Sequence, residues 1–174
     1  MLQMELKRTY LTFLASVFNA GLHDVLLEGG MDTGAIMESM LVYGKDSTDT
    51  VSQKMCLSIL GKVVKSWNTK PGVQEWIYNT LTPRLFQIPT SKTFQLTDGS
   101  ALIVVTELGN ILVSAYSVLG DDYLRFLESG LAEISDRQSV ATCLEGIRAG
   151  GRGIRKVMMV CILFPSFLLC GESG

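Results

Sequence analysis

A single histidine, His23, is the only imidazole in the chain, so any Ser-His-Asp or Cys-His arrangement would have to be built on that one residue. It lies in a Gly21-Leu22-His23-Asp24 stretch that reads as a turn, and the expectation is a surface loop side chain. The four cysteines, Cys56, Cys143, Cys161 and Cys170, form no CxxC pair, which argues against a zinc site. Cys56 and Cys143 fall in apolar helical stretches and read as small buried hydrophobes in a reducing, intracellular compartment. Sustained alternation of apolar and polar residues is missing as well, and the β-branched run Ile103 to Val105 sits inside an apolar stretch of helical length, so strands are not expected. The opening MLQMELKRTY carries charges where a secretory signal needs an unbroken apolar core. Gly146, Gly150, Gly151 and Gly153 follow no strand and precede no Gly-Lys-Ser/Thr, which excludes a phosphate loop. Asp121-Asp122, directly after Gly120, read as a helix N-terminal cap and not as a catalytic carboxylate pair. No catalytic residue, metal ligand or cofactor-binding motif emerges.

What the chain does have is apolar residues at helical spacing. Hydrophobic residues make up 47% of 174, and mean hydropathy is +0.29, high for a domain that covers its own core unaided. Net charge is −2, which argues against nucleic-acid binding through bulk charge. Its distribution is uneven. Lys45 to Lys92 holds seven Lys/Arg against three Asp/Glu, Asp98 to Asp136 one against seven, and Arg137 to Lys156 five against one.

The longest well-punctuated helix is predicted over Asp46 to Trp67. Val51, Met55, Cys56, Ile59, Leu60, Val63 and Trp67 recur at three- and four-residue steps, while Lys54, Ser58, Lys62 and Lys65 fall on the opposite face. Asp46, Ser47 and Asp49 offer capping oxygens, and Asn68 to Gly72 closes the helix. Leu2 to Asn19 forms an earlier helix with Leu6, Tyr10, Phe13, Leu14, Val17 and Phe18 on the expected inner face, ended by Ala20-Gly21. Leu22 to Leu27 makes one short turn. Asp32 caps a helix running to about Tyr43, with Ile36, Met37, Met40 and Leu41 inward. Val73 to Ile88 is helical but interrupted by Pro83, which predicts a first piece, a kink and a short second piece. Leu96 to Leu119, capped by Thr97 or Asp98, is the most apolar helix. It has the length of a membrane span, yet Asp98, Thr106, Glu107 and Asn110 interrupt it, so it reads as a buried helix and no stable membrane insertion is expected. Asp121 to Ser129 and Asp136 to Arg148 complete the set.

Alternate helices start near Leu2, Ser47, Thr97 and Asp136, about 40 to 50 residues apart, the period of HEAT-type helical hairpins. The expected fold is therefore all-α, a HEAT-like helical-repeat solenoid (an α-α superhelix) of three to four hairpins. Residues 1–145 make up these repeats. Residues 146–174 break the pattern: the glycines end helical structure, and Val157 to Cys170, VMMVCILFPSFLLC, carries no charge and has Pro165 in its middle. Three readings of this tail stay open: a membrane anchor, a buried terminal helix, or an end altered by splicing or gene-model error.

The one feature with binding potential is the lysine face. Lys54, Lys62 and Lys65, with Lys70, Arg84 and Lys92 near in sequence, could touch phosphates, and solvated lysines on an amphipathic helix are the plain alternative. No RNA-reading sheet or recognition-helix signature accompanies them, so backbone contact by shape is the mode left.

At Lys7-Arg8-Thr9-Tyr10 with Phe13, then Gln53-Lys54-x-Cys56, Ile59-Leu60-x-Lys62-Val63 and Trp67, the chain resembles the exportin-T family of the importin-β superfamily. Lys92-Thr93-Phe94-x-Leu96-x-Asp98 and Asp122-Tyr123-Leu124 extend the resemblance, which covers roughly Glu5 to Cys143. It implies a HEAT-repeat karyopherin that binds tRNA together with Ran-GTP, meets nuclear pore proteins, and shuttles between nucleus and cytoplasm. By the same resemblance this chain corresponds to the last fifth of such a receptor, with the Ran-binding repeats elsewhere. No site residue is inherited position by position; Lys54, Lys62 and Lys65 stand as tRNA-contact candidates on chemistry alone. The competing reading is a generic helical-repeat scaffold for protein partners.

Overall fold

A computed structural model describes residues 2–45, 49–89, 94, 99–132 and 137–150, and among these every regular element is helical. Helix α1 spans Leu2–Asn19 as predicted. It stops at Gly21, whose φ of +70° only glycine adopts without strain, and the N–H groups of Gly21 and Leu22 turn back to the Phe18 and Val17 carbonyls. The inward side of α1 matches the expectation at Leu14 and Phe18 and departs from it at Leu6 and Phe13. Leu11, Leu14 and Phe18 are buried, while Leu6 is 70% exposed and Phe13 52%. The helix carries two apolar stripes about 100° apart, and spacing alone cannot say which one meets a neighbour.

Helix α2, His23–Glu28, is the predicted short turn and buries Leu26. Helix α3, Thr33–Lys45, is capped by Asp32, whose Oδ1 accepts the Ala35 N–H at 2.9 Å. Ile36, Met40 and Leu41 point inward and Met37 is half-buried. Helix α4, Thr50–Trp67, begins later than predicted because Asp49 is the cap, accepting the Ser52 N–H. Asp46 and Ser47, also expected to cap it, lie outside the described residues. Its buried arc is wider than the predicted stripe: Leu57 and Val64 are fully buried beside Cys56, Ile59, Leu60, Val63 and Trp67, whereas Val51 is 59% exposed. The reason is its position. Helices α1 and α3 pack on α4 from one side, and helix α7, Gly99–Leu119, lies along it on another in the broadest interface of the fold. Gln53, itself buried, donates through Nε2 to the Gly44 carbonyl at 2.9 Å and ties the end of α3 to α4.

The proline-interrupted segment is one continuous run: helix α5 (Val73–Trp76), a π-helical turn (Ile77–Leu81), and helix α6 (Thr82–Gln87). Pro83 has no N–H to offer the carbonyl four residues back, and the turn widens there instead of simply breaking. Thr82 Oγ1 donates to the Ile77 carbonyl at 2.8 Å, and the buried Tyr123 hydroxyl lies 2.9 Å from the same Oγ1.

Helix α7 is the one described helix long and apolar enough to cross a membrane, by length and composition only. Here Val105, Leu108, Leu112 and Ala115 are fully buried, and α7 packs against α4 and two later helices, α8 (Asp121–Ala132) and α9 (Arg137–Arg148). The caps predicted for α7, Thr97 and Asp98, lie outside the described residues. Asp121 and Asp122 occupy the first turn of α8, where negative charge meets the free N–H groups, and α8 continues three residues past its predicted end. Helix α9 passes through Gly146, which is buried within it, and does not stop there. The apolar segment Val157 to Cys170 lies outside the described residues.

One hydrophobic core runs through all of these helices. Packing proceeds in series, α1 and α3 on α4, α4 on α7, α7 on α8 and α9, and α8 on α9. Among the described residues α1 and α9 share no interface of comparable size. The fold is all-α and consistent with stacked helical hairpins whose alternate members begin at Leu2, Thr50, Gly99 and Arg137.

Candidate nucleic-acid interface

Helix α4 presents one narrow strip to solvent, because α1, α3 and α7 take the rest of its circumference. The three candidate lysines all fall on that strip. Lys54 and Lys65 are exposed and Lys62 half-buried, and the eleven residue steps from first to last span about 16 Å along the helix axis. Lys62 Nζ donates to the side-chain oxygen of Asn19 at the end of α1, a neutral partner that orients the ammonium without cancelling its charge. Lys54 borders a shallow hollow of about 310 Å³ with Leu102, Thr106 and Glu107 of α7, and no salt bridge joins it to Glu107. None of the three is paired with a carboxylate among the described residues.

The neighbouring cations behave differently. Lys70 Nζ lies 3.3 Å from Asp24, and Arg84 pairs with Glu38. Both are therefore committed to holding helices together, and Lys92 lies outside the described residues. Among the described residues, then, Lys70 and Arg84 are paired with carboxylates and the three lysines on α4 are not.

A polar anchor beside this strip was not visible in the sequence. Arg8 of α1 clasps Asp49 with Nε to Oδ2 and Nη2 to Oδ1, both at 3.1 Å, and Ser52 Oγ donates to Oδ2 at 2.6 Å. The Arg8 guanidinium, helped by the Ser52 bonds, holds the Asp49 carboxyl well below the usual carboxylate range, even though burial works in the opposite direction. Its partners are forty-one residues apart in sequence, so no local pattern could have linked them. Between α1 and α3 lies a second unforeseen feature, an open groove of about 1060 Å³ lined mainly by apolar side chains.

Among the described residues, no catalytic constellation forms around His23. Its ring stacks on Phe18 at 5.8 Å and 9° between planes, and Phe18 in turn meets Trp67 at 5.2 Å. The imidazole is a partly buried packing element and not the surface loop side chain expected; its Nδ1 is buried with no hydrogen-bond partner. Among the described residues no group of three or more His, Cys, Asp or Glu is placed to hold a metal ion.

Comparison with known proteins agrees with the resemblance read from the residues. The chain is 29% identical over 138 residues to Exportin-T of Mycosarcoma maydis, an alignment covering 71% of this chain and 12% of that protein. It is 26% identical over 127 residues to Exportin-T of Mus musculus, covering 71% and 13%, and 26% identical over 133 residues to that of Danio rerio, covering 74% and 14%. The chain therefore spans about one-eighth of the length of the relatives it matches. No solved structure matches it. The family model for Exportin-T matches residues 1–149, a stretch that takes in α1 through α9, and by that match the chain belongs to the Exportin-T family.

Proposed function

We propose that this chain forms part of a nuclear export receptor that binds tRNA with Ran-GTP and carries it from nucleus to cytoplasm. The observation that carries this reading is the lysine strip. Three ammonium groups with no carboxylate partner among the described residues line up on the solvent-facing strip of the central helix, in a chain that belongs to the Exportin-T family. Point charges about 16 Å apart end to end suit a phosphate backbone and read no base, as expected for recognition by shape. Ran-GTP and nuclear pore proteins would engage parts of the receptor that this chain does not contain, and the receptor would shuttle between compartments. Residues 1–145 would supply the repeats, with 146–174 outside them.

A filter-binding titration against tRNA at several salt concentrations, with and without Ran-GTP, tests the proposal. Contacts spread over a long receptor leave each part with a fraction of the affinity, so weak, strongly salt-dependent binding is expected from this chain alone. Replacing Lys54, Lys62 and Lys65 together by Glu should abolish it; unchanged binding would remove the basis for the assignment. The rival reading, a scaffold for protein partners, draws on the apolar groove between α1 and α3 and predicts no response to those three changes.

A further inference from the structure

We infer that the Ser58 hydroxyl reads the ribose 2′-hydroxyl of an RNA strand whose neighbouring phosphates lie on Lys54 and Lys62, so that this strip selects RNA over DNA. On the phosphate-contact reading proposed above, Ser58 is then the residue that tells one polyanion from another. Three observations lead there. First, Ser58 is the middle of the strip. At about 100° per residue it stands about 40° around α4 from Lys54 and about 40° from Lys62, and about 6 Å along the axis from each. Lys65, about 20° around the helix from Lys54, continues the row.

Second, the hydroxyl is uncommitted. Several helical hydroxyls of this fold turn back on the carbonyl four residues earlier: Ser16 on Thr12, Thr106 on Leu102, Ser114 on Asn110 and Thr142 on Gln138, at 2.8–2.9 Å. Ser58 makes no hydrogen bond among the described residues and is half-buried, with a proton to give and lone pairs to receive one. Its position is fixed, because Leu57 and Ile59 on either side of it are buried in the core. A ligand that bonds this hydroxyl therefore orders little of the protein that is not ordered already.

Third, the row of ammonium, hydroxyl and ammonium is the complement of phosphate, ribose and phosphate along one strand. An ammonium has three donors, so Lys62 holds Asn19 and a phosphate together. In an A-form helix the 2′-hydroxyls line a wide, shallow minor groove, open to a short side chain placed between longer ones that reach the phosphates. DNA carries hydrogen at that position and offers the Ser58 hydroxyl no partner there. A run of acidic side chains would satisfy the ammonium groups but places no hydroxyl between its charges.

Filter binding to the intact chain at low salt compares three probes: an RNA hairpin, the same hairpin with fluorine at every 2′ position, and polyglutamate. Fluorine keeps the A-form sugar pucker, so the two hairpins differ in the hydroxyl and not in helix shape. RNA should bind about fivefold tighter than its fluorinated counterpart, the usual worth of one hydrogen bond. Ser58→Ala should bring RNA down to the fluorinated value and leave the fluorinated hairpin and the salt slope unchanged, since no counterion is involved. Ser58→Thr, which keeps the hydroxyl, should keep the preference, and Lys54→Ala should weaken both hairpins alike. Equal binding of the two hairpins to the native chain, still abolished by the triple lysine change, overturns the role of Ser58 and leaves the transport reading standing. A preference that survives Ser58→Ala, or an equal loss for both hairpins in that variant, does the same. Failure of both hairpins to bind the native chain overturns both. Polyglutamate held as tightly as RNA and weakened by Ser58→Ala would make the partner an acidic protein segment and overturns the inference as well.

Discussion

Arg8 and Asp49 join α1 to the first turn of α4 through two parallel hydrogen bonds of 3.1 Å. The same carboxylate caps α4 through Ser52, so one side chain both starts a helix and fastens a neighbour to it. Asp49→Asn keeps a capping oxygen and loses the charge, whereas Asp49→Ala loses both. The alanine variant should be the less stable by about 1 kcal/mol, the usual value of a cap, measurable by urea denaturation. Equal stability of the two would mean that Asp49 does not act as a cap.

The lowered carboxyl of Asp49 also sets a pH dependence. Its folded-state value lies below its unfolded value, so its contribution is complete above the unfolded value, about pH 3.9, and is lost as pH falls toward the folded one. Thermal melts between pH 7 and pH 2.5 should show a steeper acid decline for the native chain than for Asp49→Asn. Parallel curves would contradict the ion pair.

Thr82 and Tyr123 offer a second test. The single Thr82 hydroxyl proton goes to the Ile77 carbonyl, so Tyr123 is the donor between them. Burial raises the phenol well above its ordinary value, the Thr82 bond only partly opposing it, and the hydroxyl stays protonated and able to donate. Tyr123→Phe removes that donor and should cost about 1 kcal/mol. Thr82→Val strands both the phenol and the Ile77 carbonyl and should cost more, about 1–3 kcal/mol, with the double variant well short of the sum of the two.

Much of this fold could be read in advance, for reasons visible at particular residues. Asp32 and Gly21 mark helix ends by local chemistry, and α1 and α3 fall where those signals place them. The inner face of α1 could be read only in part: Leu14 and Phe18 are buried as expected, but Leu6 and Phe13 are as apolar as Leu11, and only the location of α4 chooses between the stripes. Leu57 and Val64 were missed for a related reason: a helix packed on two sides buries an arc wider than a single stripe. The lysine face was legible because opposing periodicities define it. Its separation from Lys70 and Arg84 was not, because Asp24 and Glu38 are brought to them only by folding.

Gly61 stands where α4 meets α7, and an added methyl group would lie 3.7 Å from Ile111 Cγ1 and 3.9 Å from Ser114 Oγ, ordinary contact distances. Gly61→Ala should therefore raise stability by up to about 1 kcal/mol through helix propensity. Gly61→Leu, too large for the interface, should lower the melting temperature. A destabilised alanine variant would show that the two helices approach more closely than described.

For the lysine strip, the slope of log affinity against log salt is the informative quantity. Each lysine that neutralises a phosphate contributes about 0.7 to 0.9 to that slope, so Lys54→Ala and Lys65→Ala should each reduce it by somewhat less than one. A loss of affinity with no change in slope would point to damaged packing instead of a lost phosphate contact.

The helix that bears these charges is also the one on which α1, α3 and α7 all rest. Descendants of this sequence can therefore exchange the cations along its open edge freely, sharpening or blunting attraction to a polyanion. They can scarcely alter the bend of the assembly there, because any residue that would tilt the rod is already wedged among its supports.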